Sequence, residues 1–473
     1  MMMRRIGLSM LLCAGLSACN LAPPYHAPPV ALPEHYGDAG SGSTPVPGTA
    51  AQALAWQHFF GDEQLKFLLA RGLESNRDLA AAVARIAQAR AFYRIEQASR
   101  LPAIDAGAGA SRSQAPLSSL DPVFADSQRT IQFNQYNAQA GISAFELDFW
   151  GRVRNLNAAA LHQYLATVEG KRAFRLSLIA NIAATYYAAR AGDEGIELAR
   201  HTVDTRTYAL QVAKDRLDAG VTSLVDYEQA AILLAQARTQ LAELQRATAG
   251  HWNQLWVLVG GKVDGVMPPA RPIESAGQFE NLDAGLPSSL LATRPDIRQA
   301  EDMLRAANAD IGVARAAFLP RIALTGSYGY ASSELSGLLS APNEIWTAGA
   351  ALSLPLFDWG QRRVGVELAK ARRDELVANY QRTVQTAFSE VATALERRAR
   401  YREQLAAQEA AVQAQRRLAE TADLRYRNGI SIYLEVVDAR RGLFNAEQQI
   451  LQLRAAQLQN GVSLYVALGG GDE

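Results

Sequence analysis

Residues 425–438 read RYRNGISIYLEVVD, with one glycine between two long segments of helical periodicity. Residues 216–227, RLDAGVTSLVDY, have the same form, and Gly220 and Gly429 lie 209 positions apart. Glycine commonly ends a helix because it adopts the left-handed backbone conformation without a steric penalty. We therefore predict that the first tip (residues 216–227) and the second tip (residues 425–438) close two copies of one helical hairpin.

The spacing of the tips recurs elsewhere, which indicates that the chain is a duplication. Trp150 and Trp359, each followed by glycine, are also 209 positions apart. Upstream, Pro102 and Pro320, each preceded by leucine, are 218 positions apart. We attribute this nine-residue difference to a longer loop between two strands in the first half.

Each half contains a very long segment without proline, residues 152–218 and residues 361–427, and both are 67 residues long. As a continuous helix, each would reach about 100 Å at roughly 1.5 Å per residue, which exceeds an ordinary globular domain. Apolar residues between 376 and 395 recur at spacings of three and four, as in a coiled coil. Shorter helices are predicted at 223–259 and 432–468, each followed by a glycine pair as its stop.

The segments before the two Trp-Gly turns change their period from about 3.6 to 2, which predicts β-strands. Apolar or small side chains alternate with small polar ones in residues 103–113 and 135–145, and again in 321–330 and 345–354. Strands of about ten residues with this alternation fit a transmembrane barrel. A soluble, half-buried hairpin would give the same pattern.

Four strands are too few to close a membrane barrel, whose known minimum is about eight strands. An open strand edge in lipid leaves backbone groups unpaired, at a cost of several kcal/mol each. Strands that cross a membrane would therefore require oligomerisation. Two, three or more chains would all give an even number of strands.

The N-terminus has the pattern of a secretory signal. Arg4 and Arg5 precede an apolar run over residues 6–16, which is too short to span as a mature membrane helix. Residues 16–19, LSAC, further resemble the lipobox of bacterial lipoproteins, in which the cysteine, here Cys19, is diacylated and becomes the first mature residue. An ordinary signal with a chance cysteine is the alternative.

The residues after Cys19 predict where the anchored chain goes. Asn20 follows the cysteine, where an aspartate would favour inner-membrane retention, so the resemblance to lipoproteins implies the outer membrane. Residues 19–53 are rich in Pro, Gly, Ser and Ala and predict an extended tether. The covalent lipid on Cys19 is the one non-protein group that we predict.

Composition excludes several classes of function. The 47 Lys and Arg residues balance the 47 Asp and Glu residues, so no basic excess argues for nucleic acid. Both cysteines, Cys13 and Cys19, come early, so the body has neither a disulfide framework nor a cysteine metal site. The six histidines are scattered, and the sequence has no His-Glu-x-x-His motif, nucleophile elbow or phosphate loop. We therefore predict that the protein is not an enzyme.

These observations divide the chain into five predicted segments. Each repeat consists of a helix, a strand pair (103–145 or 321–354), a long helix and a shorter helix. The segments are a signal peptide (1–18), a lipidated extended tether (19–53), repeat 1 (54–261), an equatorial linker (262–287) and repeat 2 (288–470).

The lipobox, the duplicated hairpins, the Leu-Pro before and Trp-Gly after each strand pair, and the Gly-Val and Gly-Ile tips resemble the TolC superfamily of outer membrane factors. Within it, the chain is most similar to the OprM-like, NodT-family lipoproteins of RND efflux systems. The resemblance implies a mainly α fold with membrane β-strands: a homotrimer whose 12-stranded β-barrel continues into a long periplasmic α-helical barrel.

The same resemblance implies a gated tunnel from the periplasm to the exterior, the outer-membrane component of a tripartite pump for small molecules and drugs. Its partners would be a periplasmic adaptor (membrane fusion protein), an inner-membrane RND pump and outer-membrane lipid, with no nucleic acid. A type I protein-secretion channel is the first alternative. A periplasmic coiled-coil adaptor or scaffold is the second, although it would not need four alternating strands.

In the resembling family the hairpin tips form the periplasmic aperture, and four positions here match its gate. Glu435 and Asp438 match two aspartates on one helix face, which in a trimer would form electronegative rings. Two solvated acids on a helix face are the alternative. Tyr426 and Asp226 match a tyrosine and an aspartate whose contact helps to keep the aperture shut. Ser431 replaces a TolC arginine, so one gate link is expected to differ.

Two further predictions concern the tips. Asp218 and Arg427 occupy equivalent positions with opposite charge, and we hypothesise that they pair between adjacent hairpins as a weak link. The resemblance also implies that an adaptor docks on the tips, although simple helix-turn residues would look the same. The docking residues would be Gly220, Val221, Thr222, Ser223, Gly429, Ile430 and Ser431.

Overall fold

In the computed structural model, the residues described are 20–31, 33, 49–50, 54–116, 130–263, 265–276, 282–283 and 289–470. The predicted signal peptide, Cys19 and most of the predicted tether lie outside these residues, as do parts of the first strand loop and of the linker.

The described part of the chain is mainly helical, with one four-stranded sheet and one short strand pair. The helices are α1 (Trp56–Phe59), α2 (Glu63–Ser75), α3 (Arg77–Ala98), α4 (Arg152–Asp218), α5 (Leu224–Leu258), α6 (Leu290–Thr293), α7 (Pro295–Ala316), α8 (Gln361–Arg427) and α9 (Tyr433–Ala467). The strands are β1 (Thr49–Ala50), β2 (Asp105–Pro116), β3 (Thr130–Glu146), β4 (Leu282–Asp283), β5 (Arg321–Ser332) and β6 (Glu344–Ser353).

The long helices and the strands form where the sequence patterns change. Helices α4 and α8 each run for 67 residues, with the same bounds as the two proline-free segments. Strand β3 begins at Thr130, five residues before the predicted start at 135. None of the helices in the described ranges is long and apolar enough to cross a membrane.

One compact unit comprises Met1–Pro28, Ala87–Ala166 and Glu301–Asn379, and it contains the four-stranded sheet. The strands lie in the order β2-β3-β5-β6, and every neighbouring pair is antiparallel. Strands β2 and β6 are therefore the two edges of the sheet. The central pair, β3 with β5, is interrupted by a bulge between Ile142 and Phe145.

This bulge corrects the origin of the nine-residue difference between the two halves. Asp105 faces Gly141, whereas its counterpart Ala323, 218 positions later, faces Ala351. Above the bulge, equivalent residues of β3 and β6 are therefore 210 positions apart. Below the bulge, equivalent residues are 209 positions apart, as the two tryptophans are. Eight of the nine extra residues are in the loop, and the ninth is the bulged residue of β3.

The second unit comprises Pro29–Ile86, Thr167–Ala300 and Tyr380–Glu473, and it contains the largest hydrophobic core. Leu65 and Leu68 of α2 pack there with Tyr186 of α4 and Tyr465 of α9, and all four are fully buried. Asp62, also buried, caps α2 and accepts a hydrogen bond from the Tyr186 hydroxyl at 2.8 Å. A buried carboxylate is acceptable there because several donors satisfy it.

Candidate functional site

The first tip joins α4 to α5 through a left-handed glycine. Gly220 has a φ of +70°, and the Val221 N–H donates to the Arg216 carbonyl at 2.9 Å, which is the Schellman ending of a helix. Ser223 then caps α5, because its Oγ accepts from the Asp226 N–H at 3.2 Å. The Thr222 hydroxyl donates to Asp226 Oδ2 at 2.6 Å, so the Asp226 carboxylate is held within its own tip.

The second tip repeats the backbone and changes the side chains. Gly429 has a φ of +71°, and the Ile430 N–H donates to the Arg425 carbonyl at 2.9 Å. The residue at the N-cap of α9 is Ile432, whose side chain cannot accept a hydrogen bond. The two tips therefore share a turn but differ in how the following helix begins.

A side-chain contact connects the two tips within the chain. Arg216 Nη1 donates to the Tyr426 hydroxyl at 2.6 Å, and its guanidinium carbon lies 5.1 Å from the centroid of the same ring. This combines a charge-assisted hydrogen bond with a cation–π interaction. The Tyr426 ring also lies 5.2 Å from that of Tyr433, so Tyr426 links α4 to the start of α9.

A small apolar cluster supports this contact. Ala419, Ala422, Val436 and Ala439 are buried between α8 and α9, and Tyr426 and Tyr433 pack against them. Burial raises the pKa of Tyr433, so its hydroxyl stays neutral at physiological pH.

Two of the predicted gate contacts are not formed within the chain. Asp226 is bound by Thr222, and the hydroxyl of Tyr426 is bound by Arg216, so the predicted pair is not in contact here. Arg427 Nη2 lies 2.7 Å from Asp423, one turn earlier in α8.

Asp423 also accepts from Arg440 of α9 at 2.8 Å. Between the described residues of one chain, Arg427 thus pairs with Asp423 and not with Asp218. The hypothesis placed the Asp218–Arg427 contact between adjacent hairpins, and as a contact between subunits it stays a prediction.

The two acids predicted to line the aperture each have an arginine nearby. Arg441 Nη2 lies 2.7 Å from Asp438, and Arg425 Nε lies 3.8 Å from Glu435. Both carboxylates are about half exposed, so these ion pairs are weak. The arginines nevertheless offset part of the negative charge that the sequence alone assigns to this helix face.

The predicted docking residues are only partly exposed. Val221, Ser223 and Ile430 are exposed, whereas Thr222 and Ser431 are half-buried. Ser431 Oγ is itself buried and has no hydrogen-bond partner in the part of the chain that the structure describes. Exposed apolar side chains extend the surface beyond the predicted residues, and they are Leu224, Val225 and Ile432.

The model of the outer membrane efflux protein family matches residues 68–261 and 286–470. The chain belongs to this family. The solvent efflux pump outer membrane protein SrpC of Pseudomonas putida is 38% identical over 459 residues, which cover 96% of each chain. Outer membrane protein OprJ of Pseudomonas aeruginosa is 36% identical over 466 residues, 98% of this chain and 96% of OprJ.

This outer membrane efflux protein also has the fold of solved outer membrane channels. The crystal structure of the open state of the Neisseria gonorrhoeae MtrE outer membrane channel matches it with a TM-score of 0.86 and 33% identity, over 96% of this chain and 99% of that one. The predicted fold class, mainly helical with an internal repeat and a β part, is confirmed.

Sequence reasoning assigned Arg427 in this efflux protein but missed the contacts of Arg216, Arg425, Arg440 and Arg441. Arg441 follows Asp438 by three residues, a spacing that places both on one helix face and could have been noticed. Arg216 lies within the quoted first tip, but its contact with Tyr426 depends on how α4 and α8 pack. Within the described ranges, no three His, Cys, Asp or Glu side chains lie together in a way that could hold a metal ion.

Proposed function

We propose that this efflux protein is the outer-membrane channel of a tripartite RND-type pump, and that its two tips form a gated periplasmic aperture. The Arg216–Tyr426 contact carries this proposal, because it joins the ends of the two longest helices where each ends in a left-handed glycine. A single, partly buried contact at such a position can be made and broken without disturbing the core.

The open sheet supports a homotrimer. Strands β2 and β6 are edges, and an edge in lipid leaves N–H and C=O groups unpaired. Three copies of a four-stranded sheet give a barrel of 12 strands, above the minimum of about eight. The long helices α4 and α8 would then continue into a helical barrel in the periplasm.

The strength of the tip contacts suits a gate. A cation–π contact at an exposed site contributes about 0.5–1 kcal/mol, and an exposed ion pair about 0–1 kcal/mol. In a trimer, a few such contacts would hold the aperture shut and would still yield to a partner that binds the tips. Asp226, Glu435 and Asp438 would line this aperture, together with Tyr426.

The exposed apolar residues of the tips support adaptor docking. Val221, Leu224 and Val225 at the first tip, and Ile430 and Ile432 at the second, are all at least 60% exposed. Contiguous exposed apolar surface commonly marks a protein interaction site. We assign it to the periplasmic adaptor, which would join the channel to the inner-membrane pump.

The names of the relatives support export of small molecules. SrpC belongs to a solvent efflux pump, and another relative is the antibiotic efflux pump outer membrane protein ArpC of Pseudomonas putida. We extend the class of small, largely apolar compounds to this chain. We propose neither a catalytic step nor a cofactor besides the lipid.

The N-terminal segment supports a lipid anchor on Cys19. Asn20, directly after it, accepts at Oδ1 from Asn155 Nδ2 at 2.9 Å, and the Leu21 carbonyl accepts from Arg315 at 3.0 Å. Both donors lie near the sheet in sequence, Asn155 nine residues after the end of β3 and Arg315 six residues before the start of β5. A lipid on Cys19 would thus enter the same membrane as the strands. Palmitate labelling that is lost in Cys19→Ser is the direct test.

Pump membership is tested by complementation and co-purification. Deletion of the gene is expected to raise susceptibility to solvents and antibiotics, and the intact gene should restore resistance. Affinity purification from cross-linked cells should recover one adaptor and one RND transporter. Recovery of an ABC transporter would instead indicate a type I secretion channel.

The gate is tested by single-channel conductance in planar bilayers. We expect Tyr426→Phe and Arg216→Ala to raise the conductance, because each removes the hydrogen bond between the tips. Asp226→Ala and Arg427→Ala test the other assigned positions. Arg200→Ala is the matched control, since among the described residues this α4 arginine pairs with Glu197 of the same helix, at 2.6 Å, and not with a tip residue. Unchanged conductance in all four gate variants would overturn the assignment.

A further inference from the structure

The two Trp-Gly turns hold their tryptophans differently. Trp150 is half-buried, and its Nε1 donates to the Pro320 carbonyl at 2.7 Å, just before β5. Trp359 is fully exposed and has a φ of +57°, the one non-glycine residue in the described ranges with a positive φ. A left-handed conformation is unusual for a bulky side chain. In the single chain, the second tryptophan lacks the contact that holds the first.

The repeat identifies the acceptor that Trp359 would use. Trp150 and Trp359 are equivalent, and the equivalent of Pro320 is Pro102, just before β2. The Pro102 residue is exposed. Trp359 Nε1 should therefore donate to a Pro102 carbonyl.

A backbone hydrogen bond repeats this relation. The Leu147 N–H donates to the Ile322 carbonyl at 2.9 Å, immediately below the β3–β5 pair. The equivalents of these residues are Leu356 and Ile104, whose side chains are 76% and 72% exposed. Leu147 and Ile322 are half-buried, so a second contact of the same kind would reduce the exposure of both residues.

The sheet order decides which molecule completes these contacts. Leu356 and Trp359 follow β6, while Pro102 and Ile104 precede β2, and these strands are the opposite edges of the sheet. A four-stranded sheet does not bring its own edges together. The acceptors next to β6 must come from a second copy of the chain, which offers its β2.

We propose that β6 pairs antiparallel with β2 of a neighbouring copy, in a register that places Ala350 opposite Ala110 of the partner subunit. The register follows from the β3–β5 pair, in which Ala140 faces Tyr328. The equivalent of Ala140 in β6 is Ala350, 210 positions later, and the equivalent of Tyr328 in β2 is Ala110, 218 positions earlier. Below the strands, the Leu356 N–H donates to the carbonyl of Ile104 of the partner subunit. Trp359 Nε1 donates to the carbonyl of Pro102 of the partner subunit.

The register of this seam needs no bulge. Equivalent residues of the two halves are 210 positions apart before the bulge of β3 and 209 positions apart after it. Strand β6 therefore lacks the extra residue that forms the bulge in β3. The same pairing therefore runs unbroken from Ala350 to Leu356. The seam rests on the proposed assembly, and it specifies which strands and which residues meet in it.

Engineered disulfides test the register. Residues after Cys19 include no cysteine, so Ala110→Cys with Ala350→Cys introduces the only thiols of the body. Directly opposed residues have Cα atoms about 4.5–5.5 Å apart, within the limit of roughly 7 Å for a disulfide. Oxidation in isolated outer membranes should give disulfide-linked dimers and trimers that disappear on reduction.

A displaced pair is the matched control. Ala348 lies two residues from Ala350 on the same face, and both are exposed alanines of β6. With Ala110→Cys, Ala348→Cys would stand diagonally, at about 7–8 Å, and should lose most of the cross-linked product. Each single cysteine variant should give none.

The outcomes separate the seam from the proposed function. Equal or stronger cross-linking of the displaced pair overturns the register. The absence of cross-linking in both pairs, in a protein that still migrates as a trimer and restores efflux, overturns the seam and leaves the channel function in place. An unsubstituted protein that neither assembles nor restores efflux overturns both.

A tryptophan substitution tests the lower contact. Trp359→Phe keeps an aromatic ring and removes the N–H, so the trimer should dissociate at a lower temperature in detergent. Trp150→Phe removes the equivalent bond within one chain and should leave subunit dissociation unchanged. The same shift in both variants, or no shift in Trp359→Phe, counts against the bond to Pro102 of the partner subunit.

Discussion

In the first half of the chain, Asn76 Nδ2 donates to the carbonyl of Leu258, the last residue of α5, at 2.9 Å. In the second half, Arg294 Nη1 donates to the carbonyl of Ala467, the last residue of α9, at 3.0 Å. The positions are equivalent under the repeat. A helix end leaves its last carbonyls without partners, so both halves need a donor at this point. The duplication preserves that need but not the residue that meets it.

The two solutions have different consequences. Asn76 also caps α3, because its Oδ1 accepts from the Leu79 N–H at 2.8 Å. Arg294 has no acceptor and cannot cap, and it is instead a buried cation with two carboxylates, Asp296 at 2.7 Å and Glu390 at 2.8 Å. The second half thus concentrates more interaction energy in one side chain.

The tips show the same divergence in polar contacts. Both turns use a left-handed glycine, but α5 begins with a serine cap and α9 with Ile432. Conversely, the second tip carries the neighbouring tyrosines Tyr426 and Tyr433, whose ring planes are inclined at 55°, and the first tip supplies Arg216, which contacts Tyr426. The halves are therefore not interchangeable at the proposed aperture.

The largest expected effect is at the helix-end donors. Arg294→Ala removes three contacts and leaves the Ala467 carbonyl buried without a partner, which we expect to cost about 3 kcal/mol. Asn76→Ala removes one hydrogen bond and a cap, at about 1–2 kcal/mol. Apparent Tm by circular dichroism in detergent should fall more for Arg294→Ala than for Asn76→Ala.

Arg298→Ala, four residues after Arg294, controls for the loss of an arginine in this part of the chain. Arg298 is half exposed and lies 3.5 Å from Glu169, so its removal should cost about 0–1 kcal/mol. If Asn76→Ala lowered Tm as much as Arg294→Ala, the concentration of interaction energy in the second half would be refuted.

An intermediate effect is expected at the caps of the two tips. Ser223→Ala removes the cap of α5 and should cost about 1 kcal/mol, so amides of its first turn should exchange about fivefold faster. Ile432→Ser supplies the missing cap of α9 and should slow exchange there. Hydrogen exchange read by mass spectrometry measures both tips in one sample. A change in the same direction in both variants would contradict the difference in capping.

The sequence predicts the long helices and the tips because proline-free periodicity and a helix-ending glycine are local signals. The Arg216–Tyr426 contact is not local, since its partners are 210 residues apart and meet only when the hairpins pack. The bulge was hidden for another reason. One residue between Ile142 and Phe145 is indistinguishable from one more residue in the loop until the strand register is known.

Arg427 illustrates a limit of reasoning from repeat register. Equivalent positions of opposite charge suggested a pair with Asp218, but Asp423 lies one helical turn from Arg427 and needs no particular arrangement of hairpins. The local carboxylate therefore takes the arginine in the single chain. The register identifies positions that correspond, not side chains that touch.

The smallest expected effect is at Arg427, and it decides between these two partners. The Arg427 side chain is 70% exposed, and Asp423 still pairs with Arg440 when Arg427 is removed. Arg427→Ala should therefore lower the free energy of unfolding by less than about 0.5 kcal/mol. A double-mutant cycle of Asp218→Ala and Arg427→Ala, read from the dissociation temperature of the trimer, measures their coupling. Coupling near zero would assign Arg427 to Asp423 alone. Coupling of about 0.5–1 kcal/mol would place Arg427 beside Asp218 of the adjacent hairpin in the assembled channel. Arg427 would then leave Asp423, its partner in the single chain, and pair with Asp218 instead.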